Sequence, residues 1–390
     1  MNDIYFQKKA VLVSLLNYYS KDKLNEYLDE ISFLSLTLKI KIVNIFTQKI
    51  LKPNKKTFIG KGKLFEISSF LKSNKINIVI FDTELLPFQL RNIENFLCCK
   101  VIDRSLLILN IFSMRAKTFH SKIQIELAKY QYLLPRLTNM WSHLSRQKGG
   151  IGMRGPGESE LETDRRIIKE KIFKLRKKLD SIGRQNSLCF KSKKKIVNVS
   201  IIGYANVGKS TLMDLISKSN AYKENMFFST IDSTSRKVVL HSIPFLLNDT
   251  VGFIRNLPNS LFNCFKSTLS EIKNSDILIH IVDLSNSLCD EYIDVVLKTL
   301  NLVGIFNISI ILLFNKIDLI LDKKHHFINS FNTLNKNIYL KNLKINYLYN
   351  NYNHDVLFIS SEINYNIFYL KELLYKKIIY EYKNKGYVNF

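Results

Sequence analysis

Residues 203–210, GYANVGKS, have the spacing G-x-x-x-x-G-K-[ST]. They follow the apolar run IVNVSII and open the helical run STLMDLI, the strand–loop–helix setting in which this spacing binds phosphate. Gly203 and Gly208 let the backbone N–H groups of Tyr204, Ala205, Asn206 and Val207 turn inward around phosphate oxygens. Lys209 would set a point charge on the β- and γ-phosphates, and Ser210 would offer its hydroxyl to Mg2+. Three further groups follow in order, each at the end of an apolar run. Asp249-Thr250-Val251-Gly252 ends PFLLND. Asp249 would hold Mg2+ through water, and the N–H of Gly252 would bond the γ-phosphate. Asn315-Lys316-Ile317-Asp318 ends SIILLF, and Asp318 can accept both N–H groups on the Watson–Crick edge of guanine. Adenine presents no such pair, so it would leave the carboxylate unpaired. Ser360-Ser361-Glu362 follows VLFI and can give a backbone N–H to guanine O6. DTVG or SSE alone is weak, but the four in this order specify a guanine-nucleotide site.

A γ-phosphate sensor belongs between the phosphate loop and Asp249, where FFSTIDSTSRK (227–237) lies. Thr230 and Thr234 both have the hydroxyl that could complete a Mg2+ shell, and the spacing does not decide between them. The residue after Gly252 is Phe253, where many such enzymes place a water-orienting Gln. Phe can neither donate to nor accept from that water. Slow intrinsic hydrolysis is therefore expected, with the missing group or ordering supplied by a partner or another loop. Packing of Phe253 beneath the switch is compatible with this.

The elements that must position these residues are legible from periodicity. From Ile196 onward IVNVSII, KVVLH, PFLLND, ILIHIVD and SIILLF alternate with helical stretches, the pattern of a doubly wound, mostly parallel α/β sheet. This domain is assigned to residues 196–380. Residues 1–115 read as a smaller α/β lobe. Its expected strands are Ala10 to Leu16, IVIF (78–81) and KVID (100–103), and its expected helices run from Leu64 to Leu71 and from Pro87 to Phe96. Gly60-Lys61-Gly62 reads as a plain turn. Residues 116–190 read as an antiparallel, coiled-coil-like helical hairpin. Apolar residues at 116, 119, 123, 127, 130, 134, 137, 141 and 144 step by three or four, and Leu161, Ile168, Ile172, Leu175, Leu179 and Ile182 repeat the rhythm. Each arm would reach roughly 40 Å. Pro135 should kink the first arm. The tip, KGGIGMRGPG (148–157), holds five of the chain's thirteen glycines. A plain connector needs only about 2–5 residues. KSKKK (191–195) reads as a solvated linker.

The 390 residues carry 58 Lys and Arg against 33 Asp and Glu, a net charge of +25. That excess favours a polyanionic partner, nucleic acid above all. The Lys- and Asn-rich stretch 332–353 also fits a drift of the whole composition, so the charge gains meaning only beside a site. No run approaches the ~18 apolar residues of a membrane helix. Asp3 and the lack of a small-residue cleavage site argue against a signal peptide. The five cysteines, at 98, 99, 189, 264 and 289, have no metal-type spacing, which fits idle thiols in a reducing cytoplasm.

With these residues in view, the chain resembles the HflX-type GTPases, a bacterial family that acts on the ribosome. The resemblance runs from about residue 10 to 375, through FIGKGKLFEI (58–67), VIFDTELLPFQLRNIE (79–94), VIDRSLLILNIF (101–112), QYLLPRLTNMWSHLSRQKGGIGMRGPGESELETDRR (131–166), GYANVGKSTL and DTVGFIR. GGIGMRGPGESELETDRR is specific to the family, whereas the nucleotide motifs are shared with many relatives. The resemblance implies three parts: an N-terminal α/β lobe, a helical hairpin and a GTPase domain. It implies binding of GTP and GDP with Mg2+, docking on the large ribosomal subunit, stimulation of hydrolysis there, and splitting of stalled ribosomes. It places Thr230, within Phe228-Ser229-Thr230-Ile231-Asp232, on Mg2+ with Ser210, and makes Lys209, Thr230 and Gly252 the catalytic set. A hydrophobic residue at Phe253 is usual for the family.

The resemblance also brings the hairpin tip toward ribosomal RNA. There glycine permits close backbone approach, and Arg146, Lys148, Arg154, Arg165 and Arg166 can pair phosphates. Arg165 and Arg166 can equally form an exposed helix face paired with Glu162 and Glu170. A C-terminal domain of many relatives is expected to be missing. A cytoplasmic monomer, associating peripherally with ribosomes or membrane, is expected. Competing readings are a large-subunit assembly GTPase and an RNA-binding scaffold with a regulatory nucleotide site.

Overall fold

The computed structural model describes residues 8–16, 21–50, 52–137, 156–192, 196–217, 234–255, 272–305, 308–321 and 355–386. These fall into two compact units, one ending at Ser187 and one starting at Leu188.

The first unit opens with β1 (Lys8–Leu16), α1 (Lys21–Thr37), β2 (Ile40–Lys49), α2 (Lys61–Asn74), β3 (Ile78–Phe81), α3 (Pro87–Leu97), β4 (Lys100–Ile102) and α4 (Arg104–Arg115). The strands form a four-stranded sheet in the order β2-β1-β3-β4, and every neighbouring pair is parallel. Ala10, Val11, Leu12 and Val13 of β1 are all buried, as a central strand covered on both faces requires. Gly60-Lys61-Gly62 is not a free turn. Gly60 caps α2 and its N–H donates to Gln48 Oε1 at 2.9 Å, while Lys61 and Gly62 lie in the first helical turn. Asp103 likewise leaves the expected strand KVID to cap α4, accepting from the Leu106 N–H at 2.8 Å.

The unit continues with α5 (Phe119–Leu137) and α6 (Pro156–Ser192). Ile123 and Leu127 of α5 and Ile172 and Leu175 of α6 form one buried cluster, flanked by Tyr130, Leu134, Ile168, Leu179 and Ile182. These nine belong to the two seams read from the sequence, whereas Phe119, also expected on the first seam, is exposed. Residues 138–155, which include Trp141, Leu144, Arg146, Lys148 and Arg154, lie outside the described residues. Pro156 and Gly157, expected in the tip, instead begin α6, where Pro costs no helical hydrogen bond. The same helix runs on into the expected linker as far as Ser192.

A buried polar joint holds α5 to the lobe. Asp103, fully buried, accepts from Tyr132 Oη at 2.9 Å, the Arg136 guanidinium at 3.2 Å and the Leu85 N–H at 3.3 Å. Arg136 also donates to Leu85 O and lies 3.5 Å from the Tyr132 ring centroid. Nearby, the buried Arg104 pairs with Glu30, and with Asp82 Oδ1 at 2.9 Å.

The second unit contains β5 (Asn198–Gly203), α7 (Lys209–Ser217), β6 (Thr234–Leu240), β7 (Ile243–Asp249), β8 (Ile277–Asp283), α8 (Cys289–Val303), β9 (Ser309–Asn315), the short α9 (Asp318–Leu321), β10 (Asp355–Phe358) and α10 (Ile367–Asn384). Its six-stranded sheet has the order β10-β9-β8-β5-β7-β6. Only β6 runs antiparallel, paired to β7. The strands correspond to the five apolar runs and VLFI. Because β5, β7, β8, β9 and β10 are parallel, Gly203, Asp249, Asp283, Asn315 and the residues after Phe358 all emerge at one edge of the sheet.

Among the described residues no helix is long and apolar enough to cross a membrane. Burial pushes the Cys99 thiol up to about 12 and the Cys289 thiol to about 11, so neither ionises near neutral pH.

Replacing Arg104 by Ala removes the cation shared by Glu30 and Asp82. We expect a loss of about 3–5 kcal/mol of stability, read as a lower urea midpoint with an unchanged slope.

Candidate functional site

The phosphate loop starts where β5 runs out of room for side chains. Gly203 has φ +154°, and a Cβ there would lie 2.3 Å from Ile281 O on the neighbouring strand. Gly208 has φ +99°, and a Cβ would lie 2.5 Å from Asn315 Nδ2. The sequence thus places glycine at two positions where any side chain would collide with the next strand or the next loop. Lys209 is buried and donates to Tyr204 O at 2.7 Å and Gly203 O at 3.3 Å. Burial pulls its ammonium down to about 8, and the negative charge of Asp249 opposes that shift.

Ser210 Oγ, in the first turn of α7, donates to Asp249 Oδ2 at 2.7 Å. A hydroxyl and a carboxylate therefore meet beside the loop, and both are hard oxygen donors of the kind Mg2+ takes together with phosphate. Among the described residues no group of three or more His, Cys, Asp or Glu could hold a metal by itself. The donor set suits an ion that shares its shell with a phosphate, as Mg2+ does.

After Asp249 the chain runs back along the phosphate loop. Thr250 Oγ1 donates to Ile201 O at 2.7 Å, so this hydroxyl serves the strand rather than a ligand. Phe253 N donates to Gly203 O at 3.0 Å, and Ala205 N donates to Phe253 O at 2.8 Å. These bonds draw Gly252 onto the loop, where a Cβ would sit 2.9 Å from Ala205 Cα and 3.0 Å from Lys209 Nζ. The Phe253 ring is buried, the packing role allowed for it from sequence.

The end of the site expected to face the base is organised by Asn315. Its Nδ2 donates to Val207 O at 2.8 Å, and its Oδ1 accepts from Ser361 N at 3.0 Å and Ser361 Oγ at 3.1 Å. One buried amide thus joins the phosphate loop to the Ser360–Ser361 turn. Asp318 begins α9 and accepts from Ser360 Oγ at 2.5 Å. Lys316 has φ +63° and pairs with Asp283 Oδ2 at 2.7 Å. Ile317 N reaches Ile359 O at 3.4 Å, and Glu362 is exposed.

The structure therefore brings Gly203–Ser210, Asp249–Gly252, Asn315–Asp318 and Ser360–Ser361 to one edge. Phe228, Ser229, Thr230, Ile231 and Asp232 lie outside the described residues. Thr234, the other threonine considered, begins β6 and points its hydroxyl at Met213 Sδ, 3.6 Å away. Arg165 and Arg166 are exposed on α6. Two contributors were missed from sequence. Asp283, which orients Lys316, ends a β-type run and could have been suspected from that position. Tyr292 of α8, which stacks on Tyr204, leaves no local signal.

Residues 25–113 match the family described as GTP-binding GTPase N-terminal, residues 115–193 its Middle Region, and residues 198–316 the family described as 50S ribosome-binding GTPase. A GTPase HflX from Flavobacterium psychrophilum is 48% identical over 315 residues, covering 81% of this chain and 76% of that protein. The GTPase HflX of Escherichia coli K12 is 39% identical over 318 residues, covering 81% and 74%. A crystal structure described as a complex of SsGBP and GDP is 27% identical, with a TM-score of 0.54, and covers 96% of this chain and 99% of that one.

Asn315→Ala should break three buried hydrogen bonds at once. Each buried group left unsatisfied costs about 1–3 kcal/mol, so GDP affinity measured by calorimetry should fall at least about tenfold.

Proposed function

Because this chain belongs to the HflX family of GTPases, we propose that it is a GTP-driven switch acting on the large ribosomal subunit, splitting or rescuing stalled ribosomes. Hydrolysis of GTP to GDP and phosphate is the activity of the family. The observation that carries the site assignment is one sheet edge that brings together the Asp318 carboxylate, the Asn315 amide, the Lys209 ammonium and the Ser210–Asp249 pair.

In this reading Asp318 accepts from the guanine edge and the Ser361 segment supplies a backbone N–H to guanine O6. The loop Gly203–Ser210 wraps the phosphates, and Lys209 carries positive charge to the β- and γ-phosphates. Ser210, Asp249 through water, and Thr230 would hold Mg2+, which neutralises charge on the phosphates when bound. Gly252 lies close to Lys209, so its N–H is suited to read the γ-phosphate. Phe253 gives the attacking water no hydrogen-bonding side chain. Intrinsic turnover is therefore slow and depends on an added element.

Three observations support the ribosome as the source of that element. The family matched by residues 198–316 is described as 50S ribosome-binding. The chain carries a net charge of +25. The α6 helix exposes Arg165, Arg166, Lys169, Lys174, Arg176 and Lys177 to solvent, alongside Glu162 and Glu170, a net basic surface suited to phosphate contacts. Docking in the GTP form would drive or stabilise separation of the subunits, and hydrolysis would release the protein. Arg146, Lys148 and Arg154 complete the proposed RNA-contacting set.

GTP turnover by the full chain, with and without purified large subunits, tests this reading. We expect at least a tenfold rise in kcat with large subunits and a smaller effect with small subunits. Equal rates under all conditions would contradict it.

A further inference from the structure

Tyr204 occupies a variable position of the phosphate loop, where phosphate binding uses only the backbone. Its side chain is nonetheless held at both ends. The ring is 3% exposed and stacks on Tyr292 of α8, with centroids 3.8 Å apart and planes 7° from parallel. The hydroxyl accepts the backbone N–H of Arg255 at 2.8 Å. Arg255 lies three residues beyond Gly252.

Segment 253–255 is thus tied to the loop at successive points. Phe253 makes two backbone bonds, to Gly203 and Ala205. Arg255 makes the third, to a side chain. Mutation cannot remove the backbone pair, whereas the third bond depends on one phenolic oxygen. The anvil behind it is fixed as well. Tyr292 is buried, and the next residue, Ile293, packs with Val282 of β8 and Leu312 and Phe314 of β9 in one apolar cluster. A stacked aromatic pair holds a ring in one plane better than an aliphatic contact of similar area.

We propose that Tyr204 is a positioning residue for the reaction. Its hydroxyl latches Arg255 so that the N–H of Gly252 stays presented to the γ-phosphate, and Tyr292 locks the ring that carries the latch. Gly252 runs close along the loop, since a Cβ there would lie 2.9 Å from Ala205 Cα and 3.0 Å from Lys209 Nζ, so small lifts of the 253–255 segment would take its N–H out of reach. GDP has no γ-phosphate to miss that contact. The latch therefore discriminates between the two nucleotides, and it matters more here because Phe253 cannot help order the water. This inference rests on the GTPase reading of the site.

The test uses Tyr204→Phe in the full chain, which removes the hydroxyl and keeps the stacked ring. Affinities for a non-hydrolysable GTP analogue and for GDP are measured by calorimetry, with kcat and KM for GTP alongside. We expect analogue affinity to fall about three- to tenfold, the worth of one buried hydrogen bond. GDP affinity should change less than twofold, and because turnover is slow the KM for GTP should rise about as much as the analogue affinity falls, with kcat falling as well. Tyr292→Leu, which leaves the hydroxyl but frees the ring, should shift the analogue-to-GDP ratio in the same direction. Equal losses for both nucleotides, or a lowered melting temperature with an unchanged ratio, would overturn the latch and leave Tyr204 a packing residue. If the wild-type protein bound neither nucleotide, the GTPase reading itself would fail, an outcome distinct from these.

Discussion

The side-chain amide of Asn315 is the constraint on which the nucleotide site depends. It ends β9, donates to the phosphate loop at Val207, and accepts twice from Ser361. Loops as irregular as these have few backbone partners of their own, and buried polar groups without partners are costly. One amide with donors and an acceptor on a single plane satisfies both loops together. In the proposed reading it also sets the distance between the loop assigned to phosphate and the turn assigned to the base. Gly208 is glycine for the same reason, since a Cβ there would fall 2.5 Å from that amide nitrogen.

The phosphate side follows similar logic. Strand β7 ends at Asp249, and the chain is then drawn along the loop by Thr250, Phe253 and Arg255. Each contact faces β5 or the loop that extends it, so the geometry of Gly252 is inherited from the parallel sheet. The substituent after Gly252 is a buried ring rather than a polar group. The site is therefore well built to bind and sense a nucleotide but lacks, at that position, a side chain to order water. That combination suits a switch whose chemistry is completed elsewhere.

Much of this was legible from the residues. The apolar runs that became β3, β5, β7, β8 and β9 were readable because a buried parallel strand must be apolar on both faces. The seams of α5 and α6 were readable because helical spacing must repeat along a shared face. The ends of elements were less so. Asp103 and Gly60 turned out to be helix caps, and Pro156 a helix start, because element ends are set by local backbone geometry that apolar periodicity does not mark. Partners distant in sequence left no trace. Nothing near Tyr204 announces Tyr292, and nothing near Asp103 announces Tyr132 and Arg136. The choice of Thr230 over Thr234 came from family resemblance. Thr230 itself lies outside the described residues, while Thr234 heads β6 beside Met213.

The first unit shows how a basic helical arm can be carried rigidly. A fully buried carboxylate, Asp103, caps α4 while accepting from Tyr132 and Arg136 of α5, so the lobe and the arm share one polar joint. The most direct test of the whole account is co-sedimentation of the full chain with purified large ribosomal subunits in a non-hydrolysable GTP analogue and in GDP. The account predicts retention with the analogue at least tenfold tighter than with GDP. Equal retention with both nucleotides would contradict it.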